Sequence, residues 1–342
     1  MKIFNTINDI SNQYRIYNNL YSVTIEITSF CNWRCEHCYI DDYTIQGFSL
    51  EKFEDLLNDL RKMGVYEIVF TGGEVFAHRN AMEMIIMARE KYFNVIIYSN
   101  ISLLNDEKIK ILSNLYIDYI TCTVFSLKSD IHDDITKRPG SLNRTLKNID
   151  LLSKNNIKVQ IKTPIMKKNY KSIFDLYEFC NKRNISYKVD AQIVPNRSLN
   201  NDNDDYQLSI DELTSIQKNI DLINGSTLIN KTPNFNTCDA LKLSIYITSN
   251  GNVQPCSLYN KTIGNIYQKN IKDIWETSNI KKMAQYTLKE SHNCSTCELI
   301  NYCTQCPGIS YAQTNDSKSC SSICRNTALA RRDNHEKIYQ TN

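Results

Sequence analysis

Alternating and periodic apolar positions divide most of the chain into strands and helices. Residues 21–28 alternate apolar with polar side chains, which is typical of a half-buried strand. Apolar residues then recur at helical spacing behind Ser49, so we predict a helix with Ser49 as its N-cap and Gly64 at its end. The first strand therefore leads through a loop of about twenty residues into the first strong helix.

The same alternation of strand and helix continues for the next 130 residues or so. We predict strands near 67–71, 94–99, 118–126, 157–164 and 186–193. We predict helices near 79–91, 105–115, 142–155, 170–184 and 209–223. Six strands with helical crossovers indicate parallel βα units in a partial (β/α)6 TIM-like barrel, so the fold class is α/β. Functional groups in such barrels lie on the loops that follow the strands.

Changes in the pattern of residue types divide the chain into five regions. Residues 1–20 form a polar lead-in without a strong period, and 21–200 form the barrel. The segment 201–234 contains a linker, centred on the Asn and Asp residues of 200–206, and a helix. Short strands, turns and cysteines indicate a small domain at 235–325, followed by a tail at 326–342.

Composition excludes several classes of function. The 342 residues are 42% hydrophobic and 23% charged, as in ordinary globular proteins, and a net charge of +3 does not favour nucleic acid or an anionic membrane as partner. No apolar run approaches the roughly 20 residues of a membrane span, and the N-terminus does not resemble a secretory signal. We therefore expect a cytoplasmic protein.

The cysteine content changes this picture. Thirteen cysteines in a reducing compartment indicate metal or cluster ligation rather than disulfides. Cys122 and Cys180 stand alone in apolar strand and helix patterns, and we interpret them as core residues. The other eleven are clustered, three near residue 35 and eight after residue 237.

The loop after the first strand carries Cys31, Cys35 and Cys38 at a Cx3Cx2C spacing. Three thiolates can hold three corners of a cubane iron–sulfur cluster, which leaves one iron open to a molecule with an amine and a carboxylate. A zinc site is the alternative, but such sites usually close with a second Cys-x2-Cys pair, and none follows within about a hundred residues.

A second motif, Gly72-Gly73-Glu74, follows the second strand on the same face of the barrel. Two glycines let the backbone approach a ligand closely, and their polar groups with Glu74 can hold an ammonium group. The alternative is an ordinary strand-to-helix turn.

The C-terminal third contains eight more thiols, enough for two four-ligand sets or for one zinc site and additional cysteines. They are Cys238, Cys256, Cys294, Cys297, Cys303, Cys306, Cys320 and Cys324.

The two N-terminal motifs resemble those of the radical S-adenosylmethionine (SAM) superfamily. The resemblance implies that SAM chelates the open iron and that one electron cleaves it to methionine and a 5′-deoxyadenosyl radical, which abstracts a substrate hydrogen. It also implies that the main chain at His37 contacts adenine and that Glu74 helps to hold the methionine amine. Further SAM contacts are expected, by looser resemblance, at Ser99, Asn100, Ser126 and Lys162.

The C-terminal cysteines resemble the SPASM extension of this superfamily, which carries auxiliary 4Fe–4S clusters. The chain departs from that pattern by the x2 spacing between Cys303 and Cys306 and by an additional cysteine in the pair Cys320 and Cys324. The resemblance assigns one auxiliary cluster to Cys238, Cys256 and Cys306. It assigns the other to Cys294, Cys297 and Cys303. Cys320 and Cys324 would supply one ligand to each, in an open order, so that the protein would hold three 4Fe–4S clusters.

SPASM enzymes mostly modify peptides, so the leading hypothesis is an oxidative thioether or carbon–carbon crosslink in a short ribosomal precursor peptide. An external donor such as flavodoxin or ferredoxin would supply electrons. A lead-in of about twenty residues is too short for a leader-binding domain. Recognition would then use the barrel mouth, the C-terminal surface or a separate leader-binding protein.

Three alternatives stay open at this point. The chain could dehydrogenate or epimerise a small molecule such as an aminosugar. It could oxidise a sulfatase residue to formylglycine. It could also be a scaffold that holds clusters or zinc without turnover.

Overall fold

A nine-stranded sheet forms the frame of the molecule. The computed structural model describes residues 7–198, 204–277 and 286–340. The strands are β1 Ser22–Glu26, β2 Glu67–Thr71, β3 Asn94–Tyr98, β4 Tyr119–Thr123, β5 Val159–Pro164, β6 Ser186–Asp190, β7 Ser244–Ile247, β8 Asn252–Gln254 and β9 Gly264–Asn265. The α-helices are α1 Ile7–Tyr17, α2 Leu50–Lys62, α3 Ala81–Glu90, α4 Asp106–Asn114, α5 Ser129–Thr136, α6 Ser141–Lys154, α7 Ile173–Lys182, α8 Ile210–Asn224, α9 Ile271–Trp275, α10 Pro307–Thr314 and α11 Ser322–Gln340.

The sheet confirms the predicted parallel βα architecture. Its order is β6-β5-β4-β3-β2-β1-β7-β8-β9, and the pairs from β6 to β7 along this order are all parallel. Helices α2 to α7 lie between the first six strands along the chain. Among the described strands the edges β6 and β9 do not pair with each other, so the sheet is an open, partial barrel. The carboxyl ends of its parallel strands meet at one edge, where a site is expected.

Helix α2 shows why the local prediction succeeded. The Ser49 side chain accepts a hydrogen bond from the Lys52 N–H, and Gly64 follows the helix with a φ of +78°. Phe53 and Leu57 on its inner face are completely buried. The predicted N-cap, apolar face and terminating glycine are all confirmed.

Five of the described α-helices were not predicted, namely α1, α5, α9, α10 and α11, and the first two of them contact the barrel. Helix α1 lies in the lead-in, where the sequence has no strong period, and Tyr14 anchors it by a hydrogen bond of 2.6 Å from its hydroxyl to the carbonyl of Gly64. Helix α5 is short and polar, and the Asp133 carboxylate at its end accepts hydrogen bonds from the backbone N–H groups of Gly140 and Leu142. Both helices depend on contacts with distant or following segments, which periodicity does not report.

The interpretation of Cys122 and Cys180 as core residues is confirmed, since both are buried. Much of the predicted linker at 200–206 lies outside the described residues. Helix α8 beyond it begins with a capping box formed by Ser209 and Glu212. None of the described helices is long and apolar enough to span a membrane.

The C-terminal region is joined to the barrel in two ways. Strand β7 lies in the predicted cysteine-rich region and pairs with β1 of the barrel, so the sheet of the barrel continues into that region. Helix α11 packs on α8, where Arg331 pairs with Asp221 at 2.6 Å and the Asn334 side chain donates to the carbonyl of Thr214. The five predicted regions themselves stay a prediction.

Candidate active site

The cysteine loop leaves β1 at the carboxyl edge of the sheet. Its backbone is fixed to helix α5, because the N–H groups of Arg34 and Glu36 donate to the carbonyls of Thr136 and Ile135 at 3.0 and 3.1 Å. Glu36 also pairs with Lys137 and Lys168. The loop is therefore held on its outer side by α5, and its inner side faces a cavity of about 440 Å³.

Cys31, Cys35 and Cys38 all line this cavity. Burial raises the pKa of Cys31 to about 12, and it raises the pKa of Cys35 well above its usual range, with further repulsion from the other two thiols. Such thiols become thiolates only when a cation compensates their charge. Three half-buried thiols that line one cavity are a donor set that fits a cubane cluster.

Within residues 7–198, 204–277 and 286–340, no three His, Cys, Asp or Glu side chains form a group that could hold a single metal ion.

The glycine motif packs directly against the cysteine loop. The N–H of Gly73 donates to the carbonyl of Thr28 at 2.9 Å, and the N–H of Glu74 donates to that of Phe30 at 2.7 Å. A Cβ atom at Gly73 would lie only 2.3 Å from the carbonyl oxygen of Ser29. The close approach of the two loops therefore requires glycine at this position.

Glu74 lies beneath the cavity and does not line it. Its carboxylate is completely buried and accepts hydrogen bonds from the Phe76 N–H, the Ser99 hydroxyl and the Asn100 N–H at 2.9, 2.6 and 2.6 Å. Burial raises the pKa of Glu74, and these donors offset part of that rise. The side chain expected to help hold the methionine amine accepts three hydrogen bonds from the protein, and these fix the loop after β3 to the glycine motif.

Six of the eight predicted SAM contacts line the cavity: His37, Gly72, Gly73, Ser99, Asn100 and Lys162. Ser126, like Glu74, lies outside its lining, because the Ser126 hydroxyl is fully buried, donates to Ser172 and accepts from the Lys128 N–H.

Two of the lining side chains differ in charge. Burial lowers the pKa of His37 to about 4, so the imidazole is neutral at pH 7, and its ring packs edge-on against Phe125 at 5.2 Å. The Lys162 ammonium lies 3.3 Å from the Tyr98 hydroxyl. Among the described residues that line the cavity, Lys162 is the one Lys or Arg, so it is the available partner for a carboxylate.

Asn100 links the loop after β3 to the first cysteine. Its side-chain amide donates to the side-chain Oδ1 of Asn32 at 2.9 Å and lies 3.9 Å from the Cys31 sulfur. Asn32 in turn donates to Ser102 at 2.7 Å. These hydrogen bonds attach the cysteine loop to the loop after β3 as well as to α5.

A buried charge network beside the cavity was missed by the sequence analysis. Glu26 at the end of β1 is fully buried, and it accepts from both terminal nitrogens of Arg197, from the Tyr246 hydroxyl at 2.7 Å and from the Ser249 hydroxyl at 2.7 Å. The Arg197 N–H also donates to the carbonyl of Tyr39 in the cysteine loop. A carboxylate at an inward-facing strand position was the signal that could have revealed the network.

The far end of the cavity is lined by Pro255, Cys256 and Ser257, which follow β8. Strand β7 brings this segment to the site because it pairs with β1. One cavity therefore contacts both the N-terminal thiols and one of the C-terminal thiols.

The eight C-terminal thiols form two groups. Burial raises the pKa of Cys256 to about 12, with added repulsion from Cys306 and Cys238. A second, small apolar cavity is lined by Cys294, Cys297, Cys303, Cys320 and Cys324. The predicted triplets are thus brought together.

Cys324 lies between the two groups. Burial raises its pKa to about 12, and the repelling thiols are those of Cys303 and Cys306, one from each set. Burial likewise raises the pKa of Cys303 to about 11, although the charge of Lys231 offsets part of this rise.

Two family models match the chain. A model of the Radical SAM superfamily matches residues 25–180, and the SPASM model, an iron–sulfur cluster-binding domain, matches residues 238–307. The chain belongs to the radical SAM superfamily and has a SPASM domain. Membership of this family implies a 4Fe–4S cluster and SAM as cofactors, which agrees with the thiols that line the cavity.

Curated relatives include a bacteriocin biosynthesis protein and a heme synthase. The chain is 27% identical over 296 residues to the antilisterial bacteriocin subtilosin biosynthesis protein AlbA of Bacillus subtilis, covering 83% of this chain and 66% of AlbA. It thus spans slightly less than two thirds of that relative. It is 21% identical over 324 residues to the AdoMet-dependent heme synthase of Methanosarcina barkeri, covering 85% of this chain and 92% of the synthase.

Among solved structures, the chain resembles SuiB of Streptococcus suis bound to its precursor peptide SuiA. The TM-score is 0.70 at 17% identity, with 95% of this chain and 82% of that chain covered. At this identity the likeness shows a shared fold.

Proposed function

We propose that this chain cleaves SAM reductively and uses the resulting radical to modify a ribosomal precursor peptide by an oxidative thioether or carbon–carbon crosslink. The observation that carries the proposal is the single cavity of about 440 Å³, which is lined at one end by Cys31, Cys35 and Cys38 and at the other by Cys256. A substrate bound there would lie between the radical source and an auxiliary cluster. The similarity to AlbA, a bacteriocin biosynthesis protein, supports a peptide as substrate.

The residues divide into ligands, contacts and supports. Cys31, Cys35 and Cys38 would hold the cluster that, when bound, delivers one electron to SAM. The main chain at Gly72, Gly73 and His37, with the side chains of Ser99, Asn100 and Lys162, would bind and orient SAM. Glu74 and Ser126 would hold these contacts in place from beneath the cavity, since both are buried outside its lining.

Two auxiliary clusters would bring the total to three. Cys238, Cys256 and Cys306 would hold one, and Cys294, Cys297 and Cys303 the other, with Cys320 and Cys324 adding one ligand to each. An oxidative crosslink removes one hydrogen atom, one electron and one proton from the substrate. A nearby auxiliary cluster suits this outcome because it can accept the electron.

Two protein partners and a compartment follow from this proposal. A flavodoxin or ferredoxin would supply electrons for SAM cleavage, and a separate leader-binding protein could present the peptide. The reduced thiols of the cluster motifs favour the cytoplasm, where disulfides do not form readily.

A second candidate is dehydrogenation of a small molecule. The heme synthase similarity favours it, because that match covers 92% of the synthase at 21% identity. Epimerisation of an aminosugar and formylglycine formation are weaker alternatives.

Mass measurement after incubation with candidate precursor peptides tests the proposal. We expect a peptide product that has lost two hydrogens, formed by the anaerobically reconstituted enzyme with SAM and a strong reductant. The Cys35→Ala variant, prepared in the same way, should leave the peptide unchanged. A product of unchanged mass and inverted stereochemistry would replace crosslinking with epimerisation, and turnover of a small molecule alone would favour the second candidate.

A further inference from the structure

Lys231 lies between the C-terminal cysteines and a separate cavity of about 510 Å³. This cavity is bounded by the end of α8, by residues 226–237 and by residues 301–306. The Lys231 ammonium donates to the carbonyl oxygens of Cys303 and of Ile300, the latter at 3.3 Å. It also lies 5.7 Å from the centre of the Phe235 ring. Its position is therefore fixed against the backbone of a proposed cluster ligand.

The charges around Lys231 do not balance within the described residues. Asp221 is the carboxylate that lines this cavity, and Arg331 holds it through contacts of 2.6, 3.0 and 3.1 Å. No described carboxylate lies within ion-pair distance of the half-buried Lys231 ammonium. A cation withdrawn from water normally has a compensating partner. The anionic groups that could fill this role nearby are the cysteine thiolates.

Gln305 provides an independent observation on the same wall. Its side chain is 7% exposed and lines both the large cavity and the small one that contains the thiols. Neither the nitrogen nor the oxygen of its amide has a hydrogen-bond partner among the described residues. Because buried amides are nearly always satisfied, this donor indicates an acceptor beside the thiols.

We propose that Lys231 and Gln305 form an electropositive wall for the auxiliary cluster held by Cys294, Cys297 and Cys303, and that the Lys231 charge raises its reduction potential. The inference rests on the proposed function, because it requires that this cluster forms. Net charge and hydrogen bonds to sulfur are the protein's main means of setting such potentials. A nearby cation stabilises the more negative, reduced cluster.

Beside this wall the cluster would serve as an electron acceptor. A cluster that is easier to reduce is a better acceptor for the electron that an oxidative crosslink releases. Lys231 would act through the cluster and not on the substrate, so it is a positioning residue. The measurement that reports its role is therefore the reduction potential of the auxiliary cluster.

The test is a redox titration followed by electron paramagnetic resonance. Full-length protein carrying Cys31→Ala, Cys35→Ala and Cys38→Ala is reconstituted with iron and sulfide, so that only auxiliary signals remain. We expect Lys231→Gln, which keeps a donor but removes the charge, to lower the reduction equilibrium constant of one auxiliary cluster about tenfold, a shift of ~59 mV to lower potential. Lys231→Arg should keep the parent potential. Gln305→Leu should shift the same signal in the same direction.

Lys188 offers a matched control, since its ammonium also donates to a backbone carbonyl, that of Asn224, at 2.9 Å. Lys188→Gln should leave both auxiliary potentials unchanged. Equal potentials in the parent and Lys231→Gln, with equal iron content, would overturn the inference and leave the proposed function standing. Auxiliary iron that is lost from Lys231→Gln but kept in Lys231→Arg supports the charge role, and loss from both overturns it. A parent protein without auxiliary iron would overturn both proposals.

Discussion

Single residues beneath the cavity position the side chains that line it. Glu74 is the clearest case, because its carboxylate satisfies three donors from two loops and is completely buried. Two of those donors, Ser99 and Asn100, belong to residues that line the cavity. The sequence motif predicted Glu74 as part of the site, and the structure places its carboxylate beneath the cavity lining. The direction of its side chain depends on the loop after β3 and could not be predicted from the motif.

Replacing Glu74 by Gln should test this supporting role. A glutamine amide presents one acceptor oxygen and turns its NH2 group towards a remaining donor, which leaves a buried donor unsatisfied. We expect a loss of about 1–3 kcal/mol in the free energy of unfolding and weaker SAM binding, because the loop with Ser99 and Asn100 is released. Urea unfolding and equilibrium dialysis with SAM measure the two effects. Glu83→Gln, on the exposed side of α3, is the control and should behave as wild type. Wild-type stability and affinity in Glu74→Gln would refute the role.

Secondary-structure elements were predictable where their own periodicity determines them. Strands β1 to β6 appear in the sequence as alternating or short continuous apolar runs, and the buried face of helix α2 appears as a helical pattern. Helix α5 is polar and was missed, yet it fixes the cysteine loop through two backbone hydrogen bonds. Contacts of this kind join segments about a hundred residues apart, so the local pattern of apolar and polar residues does not predict them.

The Glu26–Arg197 pair joins three such segments: strand β1, strand β7 through Tyr246, and the chain after β6. Burial by itself would raise the pKa of Glu26, but the hydrogen bonds and charge of Arg197, with the Tyr246 and Ser249 donors, outweigh it and leave the pKa below its usual value. The pair should therefore stabilise the fold only while Glu26 is ionised.

Removing one partner should cost more than removing both. Arg197→Met leaves a buried, unpaired carboxylate, and we expect a loss of about 3–5 kcal/mol in the free energy of unfolding at pH 7. The double variant Glu26→Gln with Arg197→Met should be more stable than Arg197→Met. Chemical denaturation of the three proteins measures the difference. A double variant less stable than the single one would contradict the account.

The same pair gives a pH dependence with a defined sign. Because the folded-state pKa of Glu26 lies below the unfolded value of about 4.3, the unfolded state takes up the proton first as the pH falls. The contribution of Glu26 is thus complete above about pH 4.3 and is lost as the pH falls through the folded pKa. The unfolding free energy of wild type should decline more steeply below this pH than that of the double variant, and parallel curves would contradict the pKa shift.

At the scale of the whole molecule, the site depends on the pairing of two strands that lie far apart in the sequence, β1 and β7. Strand β7 lies beside β1, and this places Cys256 on the same cavity as Cys31, Cys35 and Cys38. The N-terminal cysteines form one local motif of the sequence, whereas the two C-terminal sets were expected only from the resemblance to the SPASM extension. The sharing of one cavity was not predictable, since β7 is separated from β1 by more than 200 residues and carries no motif of its own.

The central claim is that Cys31, Cys35 and Cys38 hold the cluster that cleaves SAM. The most direct measurement is the yield of 5′-deoxyadenosine from anaerobically reconstituted protein given SAM and a strong reductant, together with its iron content. We predict 5′-deoxyadenosine from wild type with about 12 irons per chain, and none from Cys35→Ala, which should keep most of its auxiliary iron. Undiminished SAM cleavage by Cys35→Ala, or no cleavage by iron-loaded wild type, would contradict the account.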